Sequence, residues 1–213
     1  MRIAILGAAG QTGRALTAGA LARGHHVIAL ARSPEKIAET DPRIDKRRAD
    51  AFDRESVVAG VAGADAVVTS VGKLNLRDPR TNLSTAAHRH VLEGMATHGA
   101  GRLVAISSLG ALQTVRRKGL VRRLYNYLRR EYYGDMHQME ELVMAARGVR
   151  ATVVRAPMLT NEAAEGRYEL ELDATRLPRG LKVSRADLVN FILDELEQGR
   201  HAGRIVALAN PPD

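Results

Sequence analysis

The chain contains no cysteine, so disulfides, thiolate metal sites and cysteine nucleophiles are excluded and any chemistry must come from other groups. Aromatic residues make up only 3% of it, which leaves little material for the base-stacking platforms that single-stranded nucleic acid requires. No apolar run reaches the length needed to span a bilayer, and the opening Met1-Arg2-Ile3-Ala4-Ile5-Leu6 leads straight into glycines without a signal-peptide pattern. A cytoplasmic location is therefore expected. What the 213 residues do hold is enough hydrophobic material, 45%, for one sizeable core, and a formal net charge of +8 that favours anionic partners. One domain over residues 1–213 is expected, with small excursions on the substrate side at about 109–135 and 161–183.

Short runs rich in Val, Ile and Leu alternate with longer helix-like segments. That alternation predicts an α/β fold, a doubly wound and mostly parallel sheet with helices on both faces. Strands are expected at 2–6, 26–31, 64–71, 102–107, 151–155 and 204–208, with a weaker one at 46–50. Helices are expected at 11–23, 53–61, 83–98, 120–147 with a break, and 185–197. Ser33 followed by Pro34, and Ser184 with Asp187 three residues on, supply chemical helix starts. The tract 161–179 has the least regular pattern and is expected to cross the carboxyl edge of the sheet.

Gly7-Ala8-Ala9-Gly10-Gln11-Thr12-Gly13 follows the first strand and opens the first helix. Gly7 permits a tight turn, Gly10 lets the backbone approach a pyrophosphate, and Gly13 allows close helix packing, while the helix start offers free amides and a positive dipole end. The segment therefore reads as the phosphate cradle of a Rossmann dinucleotide site. Loops that bind NAD carry an acid about 20 residues later for the ribose hydroxyls. Here that place reads Ala31-Arg32-Ser33-Pro34. Arg32 is suited to a forked pairing with a 2′-phosphate and Ser33 to a further hydrogen bond, which predicts NADP(H) over NAD(H). Asp50-Ala51, closing the third strand, are placed to flank the adenine, although Asp50 equally suits a helix cap. Val71-Gly72 close the fourth, where a missing side chain leaves the cofactor room.

These residues resemble the atypical short-chain dehydrogenase/reductase family with an NAD(P)H-binding, NmrA-like domain, and within it the flavin reductase (NADPH), or biliverdin-IXβ reductase, type. The likeness continues through Ala29-Leu30-Ala31-Arg32, Gly63-Ala64-Asp65-Ala66-Val67, Met95-Ala96-Thr97-His98-Gly99, Val104-Ala105-Ile106-Ser107-Ser108, Gly148-Val149-Arg150 and Ser184-Arg185-Ala186-Asp187-Leu188. It implies hydride transfer from NADPH, with Ser107 and Ser108 beside the nicotinamide and Pro157, Met158 and Leu159 lining its other side. Met158 stands where the flavin reductase carries a histidine, so a substrate contact through that position does not carry over.

Standard short-chain dehydrogenases pair a tyrosine with a lysine four residues on, the lysine lowering the tyrosine pKa for proton transfer. No such pair occurs here. Tyr133 and His137 have that spacing with histidine in the lysine place, which makes them either a proton-donating pair or a packed tyrosine and a surface histidine. Ser108 is read as a contact to substrate or nicotinamide, or as a residue that turns the chain. Seven positive charges lie between Arg116 and Arg130. They form either an anion-holding patch at the site mouth or the solvated side of an amphipathic helix. The histidines assemble no metal site, since His25 and His26 are adjacent and His88 and His90 face apart on a helix. The sequence thus predicts an NADPH-dependent reductase of a flavin, quinone or similar conjugated molecule, with a non-catalytic NADP(H) redox sensor as the alternative. The expected partner is a small-molecule substrate, an anionic one being compatible with the net charge, rather than nucleic acid or membrane, for a monomer or small homo-oligomer.

Overall fold

The structure, a computed structural model, describes residues 1–72, 82–111, 130–173 and 178–212. Its centre is an eight-stranded sheet in the order β3-β2-β1-β4-β5-β6-β10-β8. The elements are β1 (Arg2–Leu6), α1 (Gln11–Ala22), β2 (His26–Ala31), β3 (Ile44–Arg48), α2 (Arg54–Gly60), β4 (Ala66–Thr69), α3 (Leu83–His98) and β5 (Arg102–Ser108). There follow α4 (Arg130–Ala145), β6 (Arg150–Ala156), β7 (Met158–Thr160), β8 (Glu169–Leu172), β9 (Lys182–Ser184), α5 (Arg185–Gln198) and β10 (Arg204–Ala209). All neighbours in the large sheet are parallel except β8, which runs antiparallel on β10 with Val206 opposite Leu172. This is a doubly wound Rossmann fold, and the strand order reverses between β1 and β4.

Strand pleating explains the two cores. Ile3 and Ile5 of β1 face one side, where Leu16 of α1 and Leu188 and Ile192 of α5 cover them. Ala4 and Leu6, one residue out of phase, face the other, with Val57 of α2, Val91 and Met95 of α3 and Met139 and Val143 of α4. Strands buried on both faces read as unbroken apolar runs, which is why β1 and β2 have the bounds the sequence predicts. The edge strand β3, Ile44-Asp45-Lys46-Arg47-Arg48, is charged instead, which discourages pairing with another chain.

Three expectations need correction. The helix start at Ser33-Pro34 yields only a 3-10 turn over Pro34–Lys36, without a bond to the Ser33 side chain. The weak third strand lies at Ile44–Arg48 rather than 46–50. The tract 161–179 is not irregular throughout, because Glu169–Leu172 extends the main sheet and β7 pairs with β9 in a small parallel sheet. The basic run and the first part of the helix expected at 120–147 fall largely on residues 112–129, outside the described residues. No helix among the described residues is long and apolar enough to cross a membrane.

Candidate functional site

The site is built on the carboxyl ends of the parallel strands, where open α/β sheets bind ligands. Gly7 ends β1 at φ +93°, and a side chain there would stand 2.5 Å from the Ser70 carbonyl oxygen, so the turn is pressed against the end of β4. The Gly7 and Ala8 amides donate to the Leu30 carbonyl of β2 at 2.9 and 3.1 Å. Gly13 is fully enclosed, because a Cβ there would collide with the Gly7 carbonyl and Ala8 Cα. Its lack of a side chain brings α1 down onto the loop. Gly10 caps α1 without a side-chain bond, and the first turn holds no acidic residue. The orphan amides of Gln11, Thr12 and Gly13 therefore lie at an uncapped positive helix end, which suits an anion.

On the β2 side, Arg32 is exposed and makes no ion pair among the described residues. Arg14 donates from Nε to the Ala9 carbonyl at 3.1 Å and from Nη2 to the Lys36 carbonyl at 3.0 Å, tying the glycine loop to the segment that carries Arg32 and Ser33. Asp50 does not cap α2. Its Oδ1 accepts from the Phe52 amide at 3.1 Å, turning the chain beside buried Ala51, and Asp53 is the cap instead, accepting from the Ser56 amide at 3.3 Å. Val71 and Gly72 follow β4, and among the described residues nothing stands within 4 Å of where a Gly72 side chain would lie.

On the β5 side, the residues after the strand are brought together by a glycine. Ser108 Oγ accepts from the Gly110 amide at 3.2 Å, closing a short 3-10 turn. The ring of Tyr133 from α4 occupies the space a Gly110 side chain would fill, so the phenol lies on the turn that Ser108 begins. His137, one turn further along α4, is 43% exposed at its side chain. Its Nε2 lies 3.5 Å from Glu141 Oε1, whereas Nδ1 is buried, has no hydrogen-bond partner among the described residues and stands 4.0 Å from Glu140 Oε2. Pro157, Met158 and Leu159 border the same edge from β6 and β7, with Met158 67% exposed.

Sequence reasoning missed the group beneath this edge. Glu140, 1% exposed, accepts from Ser107 Oγ at 2.5 Å and from Arg155 Nε and Nη2 at 2.8 and 2.5 Å. Two signals were legible: Glu140 is seven residues from Tyr133 and so on its helix face, and Arg155 is a charge that directly follows the apolar pair Val153-Val154 in a strand. Nearby, Asp135 of α4 caps α3 by accepting from the Ser84 and Thr85 amides at 2.7 and 2.9 Å. The Ser84 carbonyl accepts from His88 Nδ1 at 2.8 Å, and His88 Nε2 accepts from the Thr69 hydroxyl at 2.6 Å. Burial pushes the His88 pKa down to about 4, so it is neutral here.

Fold and cradle together define a dinucleotide-binding class. The chain belongs to the NAD(P)H-binding family, whose model matches residues 7–199. It is similar to a 3-diazoavenalumate denitrifying reductase from a Streptomyces species, 37% identical over 117 residues that make up 50% of this chain and 38% of that one. An uncharacterized protein of Mycobacterium tuberculosis is 38% identical over 109 residues, 51% of this chain and 12% of the relative. The matched region thus spans well under half the length of these relatives. Among solved structures, ChuY, an anaerobillin reductase from Escherichia coli O157:H7, superposes with a TM-score of 0.82 at 19% identity over 100% of this chain and 98% of that one. A short-chain dehydrogenase/reductase from Veillonella parvula in complex with NADP gives a TM-score of 0.78 at 19% identity, covering 99% and 94% of the two chains. At such identities the structures show the fold alone.

Proposed function

We propose that this protein is an NADPH-dependent reductase that delivers hydride to a flavin, quinone or similar conjugated small molecule. The observation that carries the reading is the seating of Tyr133 on the Ser108 turn, at the end of the sheet opposite Arg32 across the β1/β4 switch point. The residues fit the dinucleotide: the uncapped amides of α1 would hold its pyrophosphate, Arg32 and Ser33 its 2′-phosphate, and Gly72, which has no side chain, would let it pass toward β5. NADPH, when bound, supplies the hydride from its nicotinamide. Ser108 accepts the Gly110 amide with its oxygen, which leaves its proton for a carbonyl of the nicotinamide amide or of the acceptor. Tyr133 or His137 delivers the proton that balances hydride addition, His137 exchanging with solvent through its exposed side.

A conjugated acceptor is favoured for two reasons. Met158 and Leu181 are exposed apolar side chains joined across the small sheet by the Met158 amide and the Leu181 carbonyl at 3.3 Å, and they offer a flat ring a soft platform. Such an acceptor also needs no strong protein acid, which suits a site without the Tyr-Lys pair. The test is NADPH consumption at 340 nm across a panel of flavins, quinones and linear tetrapyrroles. Turnover of at least one class is expected, and the absence of any above background overturns the reading.

A further inference from the structure

Among the described residues, Arg185 differs from the other half-buried arginines. Arg23, Arg43 and Arg47 each hold a carboxylate, through Asp194, Asp41 and Asp45. Arg185, in the first turn of α5, is bonded among the described residues only to neutral oxygens. Its Nε donates to Thr12 Oγ1 at 3.1 Å and its Nη1 to the Thr160 carbonyl at 3.3 Å and to Asn161 Oδ1. The nearest acid in sequence, Asp187, is already engaged by the Glu165 and Gly166 amides, Ser184 and Asn210. A guanidinium without a counter-charge beside the positive end of α1 is electrostatically unfavourable until an anion arrives.

We propose that Arg185 is a positioning residue for the pyrophosphate of the dinucleotide, acting through Thr12. Thr12 is the second residue of α1. Its hydroxyl oxygen accepts from Arg185, so its proton is free to donate to a phosphate oxygen and is polarised by the cation behind it. The same guanidinium holds Thr160 and Asn161, so one cation joins the phosphate cradle to the segment that follows β7. The role is distinct from that of Arg32: Arg32 distinguishes the two dinucleotides, whereas Arg185 serves what they share. The inference rests on dinucleotide binding at α1 and not on the acceptor.

The experiment titrates the full chain and its Arg185→Met variant with NADPH, NADH and adenosine 2′-monophosphate, which lacks the pyrophosphate. Loss of one charge-assisted contact is expected to raise both dinucleotide Kd values about tenfold, with their ratio held within about twofold and the monophosphate unaffected. Unchanged dinucleotide binding, or equal weakening of the monophosphate, overturns the proposal. Should Arg185→Met fail to fold, Thr12→Val serves instead: parallel weakening of both dinucleotides supports the bridge, and unaltered affinity overturns it.

Discussion

Two buried arginine–glutamate pairs sit on opposite faces and opposite ends of the sheet. At the carboxyl ends of β5 and β6, on the α4 face, Glu140 holds Arg155 and Ser107. At the amino ends, on the α5 face, Glu195, 2% exposed, accepts from Arg102 Nη2 at 2.7 Å, Thr152 Oγ1 at 3.0 Å and the His201 amide at 2.8 Å. His201 Nδ1 donates to its second oxygen at 2.9 Å. Burial holds the Arg102 guanidinium below its ordinary pKa, with Glu195 opposing that shift. Both carboxylates are held through both oxygens by the protein's own groups, and beside each one, among the described residues, stands a buried nitrogen without a hydrogen-bond partner: Arg102 Nε in the Glu195 cluster, and His137 Nδ1, 4.0 Å from Glu140. The Glu195 cluster joins two strands and a helix at the amino ends of the sheet, away from the candidate site. The Glu140 cluster lies under the candidate site and sets the end of the strand that carries Ser108.

Removing one partner of either pair strands a buried charge, so Glu195→Ala and Glu140→Ala are each expected to lower stability by about 3–5 kcal/mol in urea unfolding. They differ in what survives. Under conditions where both variants remain folded, Glu195→Ala is expected to transfer hydride at close to the wild-type rate, and Glu140→Ala about 10- to 100-fold more slowly, because the Ser107 strand end loses its anchor. A Glu140→Leu, Arg155→Met double variant restores stability but not the rate. Equal rate losses at the two sites would erase the distinction.

His88 shows how burial acts without an ion pair. Its pKa is about 4 in the folded chain and near 6.5 unfolded, so below pH 6.5 the unfolded state takes up a proton that the folded state does not. Stability is thus complete above about pH 6.5 and declines toward pH 4. Between pH 7 and pH 5 the loss through this group is about 2 kcal/mol, read as the difference between wild type and His88→Gln in chemical denaturation. A parallel decline in both proteins would show that His88 is not its source.

The sequence made some of this legible and hid the rest for physical reasons. The strands β1 and β2, the helix α3 and the glycine turn follow from local pattern, because apolar strands buried on both faces and a helix bounded by Gly99 leave strong signals. The short strands β7, β8 and β9 do not, since each has three or four residues and is defined by pairing with a distant partner, as Glu169 is with Ala209. For the same reason Tyr133 and His137 could be read from their spacing, but not the Gly110 surface on which the tyrosine lies. Glu140 and Arg185 acquire their roles only through Ser107, Arg155 and Thr12, residues remote in the chain.

The proposed selection of NADPH by the end of β2 is tested by the affinity of wild type and Arg32→Ala for NADPH and NADH. Tighter NADPH binding by the wild type is expected, with a Kd for NADPH that rises about tenfold or more in the variant while that for NADH stays within about twofold. Equal affinity of the wild type for both cofactors, or equal losses in the variant, would contradict it.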